Sequence, residues 1–445
     1  MKPKIFLLSL GCPRNLVDSE VLMGLFKKRG FLLTDNPESA NFLIVNTCAF
    51  IEDAKKESID VILEMIALKK KSDNSKKIIV IGCLSQRYAG AIKKEFPEIE
   101  GIFGSSDFVK VPEFIDKSKD ERMLSVNKTP DYLYSHEENR VFITPPHYVY
   151  VKLQEGCMNN CSYCTIPKLR GPYRSRSMDS VIKEVRSFSN KGIVKELNLI
   201  GQDTTLYGID RYGKRRLKEL LKVISGIFKD NWIRLLYTHP AHYDDELIDV
   251  IAGEAAICKY LDLPIQHIND RILKDMNRRV TKKDVLFLIE KLRKKIPDVA
   301  IRTTVMVGFP KETDKEFKEL LDFLRDIKFE RLGAFIYSKE EGTPAYKFKE
   351  EIPEKSKDER FKELLEVQEE ISKKINEKFL GRTFKVLLDE MTDKGHTRAL
   401  ARTYMDAPEV DGACYVKSNK KLKIGSFLNV KITDTLEYDL VGDAV

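Results

Sequence analysis

Three cysteines fall within eight residues in EGCMNNCSYCTIPKLRGPYRSRS, where Cys157, Cys161 and Cys164 form a C-x3-C-x2-C run directly after a predicted strand. Three thiolates at this spacing hold one face of an iron–sulfur cluster and leave one iron open to a ligand that is not protein. A structural zinc site wants a fourth cysteine or histidine nearby, and His147 stands before the strand, poorly placed for that role. Arg170, Arg174 and Arg176 follow in the same run, and their guanidiniums suit a carboxylate or a phosphate.

A second set of thiols is dispersed. Cys12 follows IFLLSLG, Cys48 follows FLIVNT and Cys83 follows IIVIG, so each stands at the carboxyl end of a predicted parallel strand. In a doubly wound sheet those ends converge on one crevice, and residues about 35 apart in sequence become neighbours. A second three-cysteine site and three inert strand-end cysteines are the two readings of this pattern. Cys258, placed just before a barrel strand, and Cys414 read as structural.

The elements that must carry these thiols follow from periodicity. Short apolar runs at 5–10, 42–47, 78–82 and 101–104 alternate with amphipathic helical stretches, which predicts an N-terminal doubly wound α/β domain over residues 1–140. Six further strand–helix units follow, with strands at 148–154, 196–201, 232–239, 260–266, 301–309 and 332–338, in a domain of residues 141–377. They predict a partial (βα)6 barrel, a shorter relative of the eightfold one. A charged helix from about Pro353 to Leu380 serves as its connector. Residues 378–445 contain strands and turns without a long helical pattern, as in a small all-β barrel.

Polar residues on the C-terminal rim of such a barrel grip substrate and cofactor. Tyr163, Gln202, Arg302 and Ser338 are the candidates for cofactor binding. Thr205, Tyr207, His239, Gln266, His267, Gly308 and Glu341 stand at similar strand ends. The charge runs KKKSDNSKK, KRRLK and EEIPEKSKDERFKE read as solvated faces.

With these residues in view, a resemblance emerges along essentially the whole chain. The cysteine loop after a first barrel strand resembles the radical S-adenosylmethionine superfamily. SLGCPRNLVDSE, NTCAFIEDAKKES, IGCLSQRY, GQDTTLYG, LPIQHINDRILKDMNRR, RTTVMVGFPKET and YSKEEGTPAY resemble its methylthiotransferases, and TYMDAPEVDGACY resembles their TRAM domain. SLGCPRNLVDSE and DAPEVDG are similar to the RimO branch, which modifies an aspartate of small-subunit ribosomal protein S-twelve, rather than to the MiaB branch, which modifies a tRNA adenosine. Arg14 stands where that family usually has lysine, and Ala49 where glycine is common.

The resemblance implies two 4Fe-4S clusters, with Cys157, Cys161 and Cys164 holding the one that binds and cleaves S-adenosylmethionine. It implies that Cys12, Cys48 and Cys83 hold an auxiliary cluster, which delivers the methylated sulfur to the β-carbon of the aspartate. It further implies an electron donor and a sulfur source, with the ribosomal protein free or assembled in its subunit, and tRNA as the alternative substrate.

Composition agrees with this picture. The 445 residues are 42% hydrophobic and 33% charged, with no apolar run long enough for a membrane span and no cleavage site after the first strand. A cytoplasmic protein is expected, in which eight cysteines are not disulfides. From Lys378 onward 11 basic residues face 10 acidic ones, a net of +1 out of +8 for the chain. A module that grips RNA is visibly basic, so the near-neutral C-terminal domain favours a protein substrate.

Overall fold

The computed structural model describes residues 2–117 and 122–445. Met1 and residues 118–121, in the stretch where the sequence pattern loosens, lie outside the described residues.

The first unit is a six-stranded parallel sheet of β1 (Lys4–Ser9), β2 (Leu32–Leu33), β3 (Phe42–Thr47), β4 (Lys77–Gly82), β5 (Ile99–Phe103) and β6 (Met123–Ser125), in spatial order β2-β1-β3-β4-β5-β6. Leu7 pairs with Ile44 and Ile44 with Ile79, so the buried runs read from sequence lie side by side. The short edge strands β2 and β6 have too few residues to announce themselves by periodicity. The order reverses between β1 and β3, and such a switch point opens a crevice at the carboxyl ends of the strands.

The second unit is also six-stranded and parallel. Its strands are β7 (Tyr148–Lys152), then, after the two-residue strands β8 (Gln154–Glu155) and β9 (Arg174–Ser175), β10 (Glu196–Ile200), β11 (Trp232–Leu235), β12 (Ile257–Asp262), β13 (Ala300–Val307) and β14 (Arg331–Ile336). The six run in sequence order from β7 to β14 and leave the barrel open.

Alternation along each strand sends one set of side chains outward and the other inward. Val149, Leu197, Ile233, Leu261 and Ile301 pack beneath the surrounding helices. Tyr148, Tyr150, Trp232, Tyr260 and Ala300 share a core with Val386, Leu388 and Val416 of the C-terminal domain. That domain is a closed barrel of β15 (Thr383–Met391), β16 (Arg398–Thr403), β17 (Cys414–Lys417), β18 (Phe427–Thr435) and β19 (Leu440–Ala444).

Several expectations change here. Cys258 lies within β12 rather than before it, buried near Arg234, and burial pushes its thiol up to about 11. The run at 427–442 is two antiparallel strands, because the chain turns after Thr435. The helix read as a connector, Glu354–Glu377, buries Leu364, Val367, Ile371 and Ile375 in the outer layer of the open barrel.

The charge runs are not uniformly solvated either. Buried Lys69 donates to the Glu98 carbonyl at 2.8 Å, and buried Lys76 donates to that of Ala40 at 2.8 Å. Buried Arg360 pairs with Glu312 at 2.6 Å and Asp314 at 2.7 Å. Long aliphatic stems let these charges cross an apolar layer and end on a fixed acceptor.

Candidate cluster and cofactor site

The two cysteine sets stand after strands of the first and second units, Cys12, Cys48 and Cys83 after β1, β3 and β4, and Cys157, Cys161 and Cys164 after β8. Cys12 caps α1 (Pro13–Lys28), with proline at the first helical position, and Cys83 opens α3 (Cys83–Glu95). Helix N-termini favour a thiolate through their unpaired N–H groups. Gly82 turns the chain into α3 with φ +100°, and its lack of a Cβ avoids collision with the Thr47 backbone.

Gly11 is packed so closely on Cys48 that an added Cβ would lie 2.8 Å from its Cβ and 2.9 Å from its Sγ. That Cβ would also lie 3.6 Å from Asn15 Nδ2, and Asn15 Oδ1 lies 3.9 Å from Cys83 Sγ. Cys12, Cys48 and Cys83 thus converge on the switch-point crevice. Burial pushes the Cys48 thiol up to about 12, with the charges of Cys83 and Cys12 adding to it. Burial raises Cys83 as well. For Cys12 burial is outweighed by the Arg14 and Arg170 guanidiniums, which hold its thiol below the ordinary range.

Cys157, Cys161 and Cys164 are half-buried in the loop after β8. Three contacts fix the loop backbone. Ser162 N–H donates to the Met276 carbonyl at 3.0 Å, Ala345 N–H to the Ser162 carbonyl at 2.8 Å, and Asn277 Nδ2 to the Asn160 carbonyl at 2.8 Å. Asn159 Nδ2 donates to Asp203 at 2.7 Å, and that carboxylate also meets His242 at 2.8 Å. Arg278 Nη1 donates to Cys161 Sγ at 3.5 Å. Burial raises Cys157 to about 11 and Cys164 to about 12.

Buried thiols of this kind ionise when a cationic centre takes up their charge, so each triad suits an iron–sulfur cluster. Among the described residues no three Cys, His, Asp or Glu side chains are gathered around a single metal-ion point. A cubane spreads its thiolates over separate irons.

A cavity of about 360 Å³ opens beside the loop. Cys157, Cys161, Cys164, Tyr163, Gln202 and Arg302 stand in its wall, with Arg14 and Phe50 from the first unit and Val410 from the C-terminal barrel. Arg302 is held by Asp411 at 3.1 Å and Asp262 at 3.3 Å. Gln202 donates to Glu155, and its own Oε1 has no partner.

Ser338 is not part of this wall. Its hydroxyl donates to Glu340 at 2.6 Å, in a cluster where Glu340 also receives Arg87 and Lys55 of the first unit. His267 pairs with Glu312 at 3.1 Å, Tyr207 donates to the Arg176 carbonyl at 2.9 Å, and Thr205 bonds Asp203. These three are buried away from the cavity as structural polar groups. His239 and Gln266 do line it.

The arginines after the loop meet carboxylates of the protein itself. Arg170 binds Asp18 at 2.5 Å, and Arg176 binds Glu184 at 2.6 Å. Arg174 donates to backbone carbonyls, including that of Pro172 at 2.6 Å.

Arg14 was marked in the sequence only as a departure. Its guanidinium donates to the Gly201 carbonyl at 2.6 Å and lies 4.4 Å from the Tyr237 ring centroid. It follows Cys12 by two residues and stands in the cavity wall with Cys157, Cys161 and Cys164. Arg278, Tyr237, Phe50, Phe335 and Val410 carried no sequence signal of their own as wall residues.

Three domain models match in order: the radical SAM superfamily over residues 151–324, the uncharacterized protein family UPF0004 over 4–104, and the TRAM domain over 380–445. Solved structures share the fold. The radical S-adenosylmethionine methyltransferase TsrM from Kitasatospora setae matches with a TM-score of 0.56 and 16% identity, over 88% of this chain and 79% of that one. Fold and domain composition therefore define a radical S-adenosylmethionine enzyme, a class that works with a 4Fe-4S cluster and S-adenosylmethionine.

Full-length relatives narrow this further. The ribosomal protein uS12 methylthiotransferase RimO of Acetivibrio thermocellus is 45% identical, covering 100% of this chain and 99% of its own. Those of Lachnoclostridium phytofermentans and Clostridioides difficile are 47% and 46% identical, each over 99% of this chain and over 100% and 99% of their own lengths. The chain belongs to the RimO family of methylthiotransferases.

Proposed function

We propose that this enzyme inserts a methylthio group at the β-carbon of an aspartate in ribosomal protein uS12, using two 4Fe-4S clusters. Cys157, Cys161 and Cys164 hold the cluster that works with S-adenosylmethionine, and Cys12, Cys48 and Cys83 hold the auxiliary one. The observation that carries the reading is that Arg14, two residues after Cys12, reaches the barrel rim at the Gly201 carbonyl and stands in the wall of the same cavity as Cys157, Cys161 and Cys164.

When bound, one cluster with S-adenosylmethionine supplies a carbon radical able to take hydrogen from an unactivated carbon, and the other supplies the methylated sulfur. The chain's residues do the rest. Asp203 and Asn159 fix the cysteine loop, Arg278 offsets charge at Cys161, and Tyr163, Gln202 and Arg302 stand where S-adenosylmethionine would be gripped. The buried Glu340 carboxylate, paired with Lys55 and Arg87, ties the loop after β14 to the first unit. Among the described residues no helix is long and apolar enough to cross a membrane, and we place the enzyme in the cytoplasm with its substrate, an electron donor and a sulfur source.

The test is anaerobic incubation with reductant, S-adenosylmethionine and sulfide, followed by mass measurement of uS12 and of tRNA. A methylthio mass gain on uS12 is expected. A gain on tRNA alone would establish the other substrate instead.

A further inference from the structure

Most large apolar side chains of this chain are buried, yet Phe50, Phe335 and Val410 are 42%, 42% and 59% exposed. All three stand in the wall of the cavity beside the cysteine loop. Each comes from a different domain: Phe50 from the loop before α2 (Glu52–Lys71), Phe335 from β14, and Val410 from the C-terminal barrel.

The loop bearing Val410 is anchored rather than loose. Asp406 pairs with Arg331 at 2.6 Å, Glu409 accepts from Tyr148 at 2.8 Å, and Asp411 accepts from Tyr260 at 2.7 Å and from Arg302 at 3.1 Å. Val410 is thus held in the wall by charged neighbours on both sides while its own side chain stays in solvent. Also in the wall, Arg302 is held by Asp262 and Asp411 and Arg278 by Cys161 Sγ, whereas Arg14 meets the Gly201 carbonyl and, among the described residues, pairs with no carboxylate.

We infer that Phe50, Phe335 and Val410 form a collar that admits an extended loop of the protein substrate, apolar on either side of an acidic acceptor residue. The inference rests on the function proposed above and names the form of substrate that its cavity takes. The Arg14 guanidinium complements the acceptor's carboxylate, and the collar removes water from the flanking residues. The C-terminal domain that supplies Val410 carries a net charge of only +1, which favours a protein loop over an RNA backbone. Since Val410 comes from the C-terminal barrel, that domain selects the substrate at the cavity itself.

Fluorescence anisotropy with purified uS12 and the reconstituted enzyme tests this. Val410→Asp and Phe335→Asp should each weaken binding by about tenfold or more, whereas Val410→Ile should bind like the parent. A photo-crosslinker at position 410 should capture the uS12 peptide containing the acceptor aspartate, which reads the contact without relying on a destabilising substitution. Unchanged affinity in both aspartate variants, or crosslinks confined to other parts of uS12, would overturn the collar while methylthiolation of uS12 by the parent enzyme still stood. If the parent modifies only tRNA, the function itself fails, and the collar with it.

Discussion

Arg14 illustrates how one side chain can join two domains. Its position beside Cys12 puts the guanidinium at the start of α1, and packing on Tyr237 carries it across to the barrel rim. The two triads allow a direct test. Reconstituted enzyme should hold ~8 irons and Cys157→Ala about half of them, as read by iron analysis, while Cys12→Ala should lose the other half. A single substitution that empties both sites would contradict their independence.

His239 makes a second prediction at this scale. Burial, and then the Arg278 guanidinium, bring its imidazole down from 6.5 to about 2. The unfolded chain takes up the proton first as pH falls, so this contribution to stability is complete above pH 6.5 and declines toward the folded value. Urea melts at about pH 7 and pH 5.5 should differ by about 1 kcal/mol more in the parent than in His239→Gln.

Among the elements, the contact between the first unit and the barrel rim is the most informative. Glu340, in the loop after β14, receives Lys55 from α2 at 3.2 Å, Arg87 from α3, and the Ser338 hydroxyl. Its side chain is 3% exposed, and removing one partner of a buried pair leaves the others uncompensated. Glu340→Ala should cost about 3 kcal/mol in urea denaturation. It should also raise 5′-deoxyadenosine release relative to product, because the domains no longer hold their faces in register.

Periodicity located the sheets that meet at this contact, because alternation and helical spacing are local properties. It missed β2 and β6, which are too short to show a period, and it ran β18 and β19 together because the turn between them has no glycine or proline. It also read Lys69, Lys76, Lys357 and Arg360 as solvated, since a charge run does not reveal which carboxylate or carbonyl will lie opposite.

For the whole molecule, the inward face of the open barrel is the deciding feature. Tyr148, Trp232 and Tyr260 are covered by the C-terminal barrel, and Arg234 and Glu196 beneath it are fully buried. Arg402 of the C-terminal barrel reaches Glu196 at 2.6 Å, and Arg331 reaches Asp406 at 2.6 Å. A chain ending at Glu377 would expose this surface together with charges left without partners. It should therefore bind a hydrophobic dye and elute as aggregate in size exclusion, whereas a merely appended module would leave a monomer with an unchanged melting temperature.

The chain by itself determined the order of three architectures and the radical S-adenosylmethionine class signalled by the cysteine loop after the first barrel strand. Each is carried by residue type and local spacing. Only the tertiary structure decided which charged and apolar side chains reach the cavity. Arg170 and Arg176 turned to carboxylates of the protein, Ser338 to Glu340, and Arg14, Phe335 and Val410 to the cavity wall. The reason is physical: a side chain's partner is whatever the packing of distant elements brings within reach, and no local pattern encodes that distance.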